Sequence, residues 1–241
     1  MASAGFTSCC FQLALHEGTA QGVFKTIGGL DTYVIGQSKR VLVIMTDVFG
    51  YKLNNTLLIA DNLAHHGDYT VLVPDILQGD PIVERPSAKG IEEWRAKHAP
   101  SVTGPIVEGF LKELRQQQNP TFLGGIGYCF GAKYVIPYLT KDGLLDAGAV
   151  AHPSFLTLEE IEGIEKPILI STSVIDQSFT VELRRATEDI LTKKEGLKWQ
   201  LGIYSGCSHG YAVRGDVSIP SVKYAKEATL LDQLNFFGSS Q

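Results

Sequence analysis

Five residues near the middle of the chain, Gly127-Tyr128-Cys129-Phe130-Gly131, combine a thiol with glycines two positions to either side. An apolar run precedes them and a helical pattern follows, so Cys129 stands on a turn between a strand and a helix. Such a turn strains its central residue, and small residues two before and two after it remove clashes. The start of the following helix favours an anion through its dipole. The thiolate is the reactive form of cysteine, and a helix N-terminus lowers the thiol pKa. The N–H of Phe130, next in the chain, is then available to hold an oxyanion. By itself the pattern is also compatible with a Gly-rich turn around a buried structural cysteine.

A nucleophile of this kind needs a base and a group to orient that base. His209 stands in Gly206-Cys207-Ser208-His209-Gly210, just past the apolar run 199–203. Asp176 stands just past the run 167–172. Taken singly, one is a solvated loop histidine and the other a turn or helix-capping aspartate. Taken together, Cys129, Asp176 and His209 follow the chain order nucleophile, acid, base, which is that of α/β-hydrolases and of no other triad fold. Each also follows the C-terminal end of a predicted parallel strand, where open α/β sheets bind ligands. The run 41–45 ends in Thr46-Asp47-Val48-Phe49-Gly50, and Val48 is assigned the second oxyanion N–H. Asp47 is expected near the thiol, disfavouring the thiolate or holding the thiol proton. Its plainer reading is a turn residue before Gly50.

These positions require an α/β architecture: a mostly parallel central sheet with helices on both faces. Strands are expected at 41–45, 70–73, 122–126, 147–151, 167–172 and 199–203, most of them apolar without alternation, as strands covered on both faces are. Helices are expected at 54–66, 90–97, 102–118, 130–139, 180–193 and 220–237. The segment 22–35 reads as an antiparallel hairpin turning at Gly28-Gly29, and 78–100 as an excursion over one sheet edge. One α/β domain is expected to take up all 241 residues.

The formal net charge of -5 gives no basic footprint for nucleic acid. Every apolar run is broken well short of a membrane span, and the first residues lack the basic n-region of a secretory signal. A cytoplasmic protein is the expectation. Cys9, Cys10, Cys129 and Cys207 do not form a disulfide framework and are expected as free thiols. No phosphate loop or dinucleotide motif is present, so no metal or organic cofactor is expected.

At this point the residues resemble the dienelactone hydrolases (carboxymethylenebutenolidases), over roughly residue 31 to the end of the chain. The resemblance rests on Thr46-Asp47-Val48-Phe49-Gly50, Val73-Pro74-Asp75, Gly127-Tyr128-Cys129-Phe130-Gly131, Asp176 and Ser208-His209-Gly210. It is nearest to the fungal branch through Ala151-His152-Pro153-Ser154-Phe155 and His209-Gly210-Tyr211-Ala212-Val213-Arg214-Gly215-Asp216. The family implies Cys129 as nucleophile, His209 as base, Asp176 as its orienting partner, and oxyanion donors at Phe130 and Val48. In its bacterial members a glutamate matching Asp47 quiets the nucleophile, and two arginines grip the substrate carboxylate. Arg214 is similar to one of these; Arg85 is the candidate for the other, with Arg95 behind it. Phe49, Trp94, Phe155, Tyr211 and His152 are expected around the pocket, His152 having the alternative of a strand-end histidine bonded to backbone. The implied substrate is a small lactone or ester, the protein monomeric or homodimeric. Rival readings are an isomerase or lyase acting on a polyketide-type intermediate with the same site, a non-catalytic binding module, and redox sensing by Cys129 with Cys207.

Overall fold

The computed structural model describes residues 13–84 and 86–240. Cys9, Cys10 and Arg85 lie outside them. Apolar runs too short for helices and rich in β-branched residues form the strands. Along β3 (Arg40–Met45), Val41, Val43 and Met45 enter one core while Leu42 and Ile44 enter the other. Both faces are therefore apolar, which is why the run shows no alternation. Burying each of these side chains contributes about 1.5–3 kcal/mol.

Among the described residues the sheet has eight strands, in the order β1-β2-β4-β3-β5-β6-β7-β8. The first two, β1 (Val23–Ile27) and β2 (Leu30–Ile35), are the expected antiparallel hairpin. Gly28 and Gly29 both have positive φ in its turn, as a primed two-residue turn requires. The hairpin joins the sheet antiparallel to β4 (Thr70–Pro74). From β4 onward every pairing is parallel: β3, β5 (Phe122–Tyr128), β6 (Ala147–Ala151), β7 (Ile168–Ser173) and β8 (Trp199–Tyr204). All five C-terminal ends of these last-named strands consequently open on one edge of the sheet.

One face is covered by α1 (Asn54–Gly67) and, from the end of the chain, by a four-residue helix Tyr211–Arg214 and a long helix Pro220–Gly238. The other is covered by α2 (Ala88–Lys97), α3 (Pro100–Glu113), α4 (Leu158–Glu162) and α5 (Val181–Thr192). We label the two C-terminal helices α6 and α7. Two expected helices differ in kind. The segment 130–139 is a pair of 3-10 helices, Cys129–Tyr134 and Ile136–Leu139, because Gly131 weakens the run and Pro137 lacks a donor N–H. The segment 102–118 ends in a π-helical turn, Leu114–Gln118, closed by Asn119 in the left-handed region.

Ahead of the hairpin, residues 13–21 strap across α1 and α6. Ala14 N–H donates to the Arg214 carbonyl at 3.0 Å. Asn55 on α1 clamps both segments, donating through Nδ2 to the carbonyls of Ala14 (2.7 Å) and Val213 (2.9 Å). His16 donates from its backbone N–H to Asn55 Oδ1 and from Nε2 to the Gly215 carbonyl, both at 2.8 Å. Among the described residues no helix is long and apolar enough to cross a membrane.

Candidate active site

The strand β5 delivers Cys129 directly from its last residue, Tyr128, into the first 3-10 helix. Cys129 has φ of 52°, a left-handed conformation that a residue with a side chain adopts only under constraint. The flanking glycines supply that constraint through close approach. A Cβ on Gly127 would stand 2.5 Å from the Ala132 Cα, and one on Gly131 would overlap the Met45 carbonyl at the end of β3. The elbow is thus pressed against the β3 loop that carries Thr46, Asp47 and Val48, all buried.

Two other strands bring the remaining groups. Asp176 follows β7, and His209 follows β8; both side chains are completely buried. His209 Nε2 lies 3.1 Å from Cys129 Sγ. Its Nδ1 lies 3.0 Å and 2.9 Å from the two carboxylate oxygens of Asp176. Asp176 accepts only, so Nδ1 carries a proton and Nε2 presents a lone pair to the thiol. Asp176 Oδ1 also accepts from the N–H groups of Ser178 (2.8 Å) and Phe179 (3.0 Å), which fixes the carboxylate. Three residues distant in sequence thereby form one continuous hydrogen-bonded line.

The loop after β6 adds a residue, from the stretch Ala151-His152-Pro153-Ser154-Phe155, to which the sequence assigns no role. Ser154, fully buried, places Oγ 3.5 Å from Cys129 Sγ and 3.5 Å from His209 Nε2. On the same loop His152 is buried, with its ring 5.1 Å from that of His209 and 5.6 Å from that of Tyr211. Tyr211 is itself buried against α7, its hydroxyl 2.9 Å from Thr229 Oγ1.

Asp47 gives its two oxygens to partners other than those expected. Arg214 Nε donates to Oδ2 at 3.1 Å, with both side chains out of solvent. The Phe49 N–H donates to Oδ1 at 3.0 Å. Burial pushes the Asp47 carboxyl up, and the Arg214 guanidinium opposes that push. Arg214 also lies over the Phe49 ring, 5.5 Å from its centroid. The arginine expected to reach for substrate is thus committed in part to Asp47. Val48 accepts from the Ile82 N–H at 2.8 Å, which pins the β3 loop.

Trp94 packs edge-on against Phe130, 5.4 Å between ring centroids, and its indole N–H goes to the Asp80 carbonyl at 2.8 Å. Phe155 meets Phe130 at 6.4 Å and carries the Arg95 guanidinium 5.5 Å from its centroid. A cavity of about 330 Å³ opens beside His209 and Arg214, walled by Leu13, Ala14, Ile219 and Val222. Cys207 is half-buried, and burial pushes its thiol up to about 11, with Asp176 adding to the effect. That is the reverse of what a redox-sensing thiol needs. Among the described residues no cluster of His, Cys, Asp and Glu is arranged to hold a metal ion.

The eight-stranded sheet, with a strained elbow on β5 and its partners at the ends of β7 and β8, defines an α/β-hydrolase fold. The model of the dienelactone hydrolase family matches residues 30–241, and the chain belongs to that family. Among its relatives is hydrolase pyvD of Aspergillus violaceofuscus, 38% identical over 96% of this chain and 95% of that protein. Hydrolase tropI of Talaromyces stipitatus is 34% identical over 98% and 97%. Dienlactone hydrolase 1 of Gibberella moniliformis is 30% identical over 91% and 88%. Among solved structures, a putative dienelactone hydrolase of Klebsiella pneumoniae superposes with a TM-score of 0.72 over 87% of this chain and 93% of its own, at 15% identity. The family makes the protein a hydrolase.

Proposed function

We propose that this hydrolase opens a lactone or cleaves a small carboxylic ester through a thioacyl-enzyme on Cys129. The observation that carries this reading is the line Cys129 Sγ–His209–Asp176, with a 3.1 Å contact at the nucleophile and two contacts of 3.0 Å or less at the acid. The fungal relatives named as hydrolases and dienlactone hydrolases support the reaction class.

In this reading His209 Nε2 takes the Sγ proton as the sulfur attacks the carbonyl carbon. The oxyanion accepts from the N–H groups of Phe130 and Val48. Collapse breaks the ester C–O bond, and the His209 proton passes to the departing oxygen. His209 then takes a proton from water as it attacks the thioester, and Sγ leaves with that proton. Asp176 holds the imidazole in the required tautomer throughout.

The test is a panel of lactones and activated esters run on the wild type and on Cys129→Ala. The expected result is a fall in kcat of about 10³-fold or more, and an acyl adduct on Cys129 by intact mass in the wild type alone. Full hydrolysis by Cys129→Ala would sink the mechanism. Turnover that needs Cys129 but never yields an adduct would instead favour isomerase or lyase chemistry.

A further inference from the structure

The loop that follows β6 is strained at two residues. His152 has φ of 39° and Phe155 has φ of 63°, both left-handed and neither glycine. Each such residue costs on the order of 1–3 kcal/mol, and the surroundings must over-determine it. Here they do. The His152 N–H donates to the Ser171 carbonyl at 2.8 Å, and the Ser154 N–H donates to the Cys129 carbonyl at 3.0 Å. At the far end Lys133 Nζ donates to the Phe155 carbonyl at 3.1 Å and is itself paired with Glu160 at 2.6 Å. The loop is fastened on both sides of Ser154, and the bond to the Cys129 carbonyl ties it to the elbow itself.

The residue held between the two strained positions presents one polar atom, and that atom lies 3.5 Å from the nucleophilic sulfur. For O–H to sulfur this is an ordinary hydrogen-bond length, because sulfur is the larger acceptor. The same 3.5 Å to His209 Nε2 is long for O–H to nitrogen. The hydroxyl is therefore better placed to serve the sulfur than the imidazole.

We propose that Ser154 is a further member of the catalytic site, donating its hydroxyl to Cys129 Sγ and stabilising the thiolate. The inference rests on the reading of Cys129 as the nucleophile. In the resting pair the thiol proton points to Nε2. When it crosses to Nε2, the sulfur gains a negative charge and accepts from two donors, His209 Nε2–H and Ser154 Oγ–H. A hydrogen bond to an ion is about twice as strong as one to a neutral group, so Ser154 favours the ionised state over the neutral one. Once the sulfur is acylated it becomes a poor acceptor. The hydroxyl then releases its claim, and His209 turns to water unhindered. No co-reactant enters, and the only atom that moves in the activation step is the proton.

The titratable and charged groups packed around the thiol come from several elements. They are His209 with Asp176 behind it, the buried Asp47–Arg214 pair, and His152 beside His209. Removing the Ser154 hydroxyl takes away only its long 3.5 Å contact to His209 Nε2 among these and leaves their hydrogen bonds to one another in place. The test is the ultraviolet absorbance of the Cys129 thiolate against pH, read on the full chain as the difference from the matching Cys129→Ala protein. This needs no substrate and no reagent access. Ser154→Ala is expected to raise the titration midpoint by about one unit, leaving about tenfold less thiolate below it. Ser154→Thr, which keeps the hydroxyl, is expected to restore the wild-type midpoint. A merely structural role would leave the midpoint in place, since alanine keeps the backbone bond to Cys129. A Ser154→Ala curve that overlays the wild type overturns the proposal, as does a shift that threonine fails to reverse. Failure of the nucleophile reading would appear elsewhere, as ester hydrolysis that survives Cys129→Ala.

Discussion

Asp176 carries two loads: both of its oxygens lie within hydrogen-bond reach of His209 Nδ1, and Oδ1 also accepts two backbone N–H groups of its own loop. These can be separated. Asp176→Asn keeps an acceptor for Ser178 and Phe179 but presents an amide that no longer enforces the Nδ1–H tautomer. Its kcat is expected to fall about 10²–10⁴-fold while its Tm stays within a few degrees of wild type. A collapse of Tm with the activity would show instead that the loop, not the tautomer, depends on the charge. The Asp47–Arg214 pair predicts the opposite pattern. Both side chains are out of solvent, so Asp47→Ala strands a buried guanidinium and is expected to destabilise by about 3–5 kcal/mol in denaturant unfolding. The double change Asp47→Leu with Arg214→Met should recover most of that loss, because a buried pair replaced by apolar groups of similar volume is often neutral. If the double variant is as unstable as the single one, the pair has a structural role beyond its charges.

At the scale of elements, the elbow stands where it does because β3 and β5 are neighbours in register. Met45 pairs with Gly127, and the Met45 carbonyl occupies the space a Gly131 side chain would need. Gly131→Ala should therefore push the elbow off the β3 loop. The expected outcome is destabilisation of at least about 1–3 kcal/mol from overpacking, together with a loss of kcat out of proportion to any change in KM. This pattern shows why much of the site was legible in the chain. Apolar runs specify the strands, the doubly-wound arrangement puts their C-terminal ends together, and Gly127 and Gly131 mark a close approach that only small residues permit. What could not be read is where a side chain turns once its element is in place. Asp47 and Arg214 are 167 residues apart, and their pairing depends on how α6 packs on the β3 loop. Ser154 stands in the stretch 151–155 that carries the fungal resemblance, but its contact with Cys129 could not be read there, because its position is set by backbone strain at His152 and Phe155, which sequence does not display. The 3-10 geometry after Cys129 was hidden for a similar reason: the run 130–139 has helical spacing, and only local packing decides the type of turn.

At the scale of the whole molecule, the strap 13–21 ties α1 to the α6 turn that carries Arg214. His16 fastens it, and burial holds the His16 imidazole below its ordinary value of 6.5. The unfolded chain therefore binds the His16 proton more readily than the folded one. Stability is fully present above the unfolded value near 6.5 and is lost as the pH falls from there through the lower folded value. Tm measured downward from neutral pH should fall more steeply for the wild type than for His16→Gln, whose amide can still donate to the Gly215 carbonyl but does not titrate. Parallel Tm curves would show that another group governs the acid limit. The sheet order has a separate consequence for how such chains can diverge. The loops bearing Asp47, Cys129, Ser154, Asp176 and His209 spring from β3, β5, β6, β7 and β8, which stand side by side, and β4 separates this block from the β1–β2 hairpin. The hairpin is thus an interchangeable part. Recombination between relatives that exchanges the β1–β2 hairpin alone, keeping the strap 13–21 that walls the cavity beside His209, would replace the outer edge, solvent-facing at Val23 and Phe24, and leave the loops at the strand ends inherited whole from the second parent.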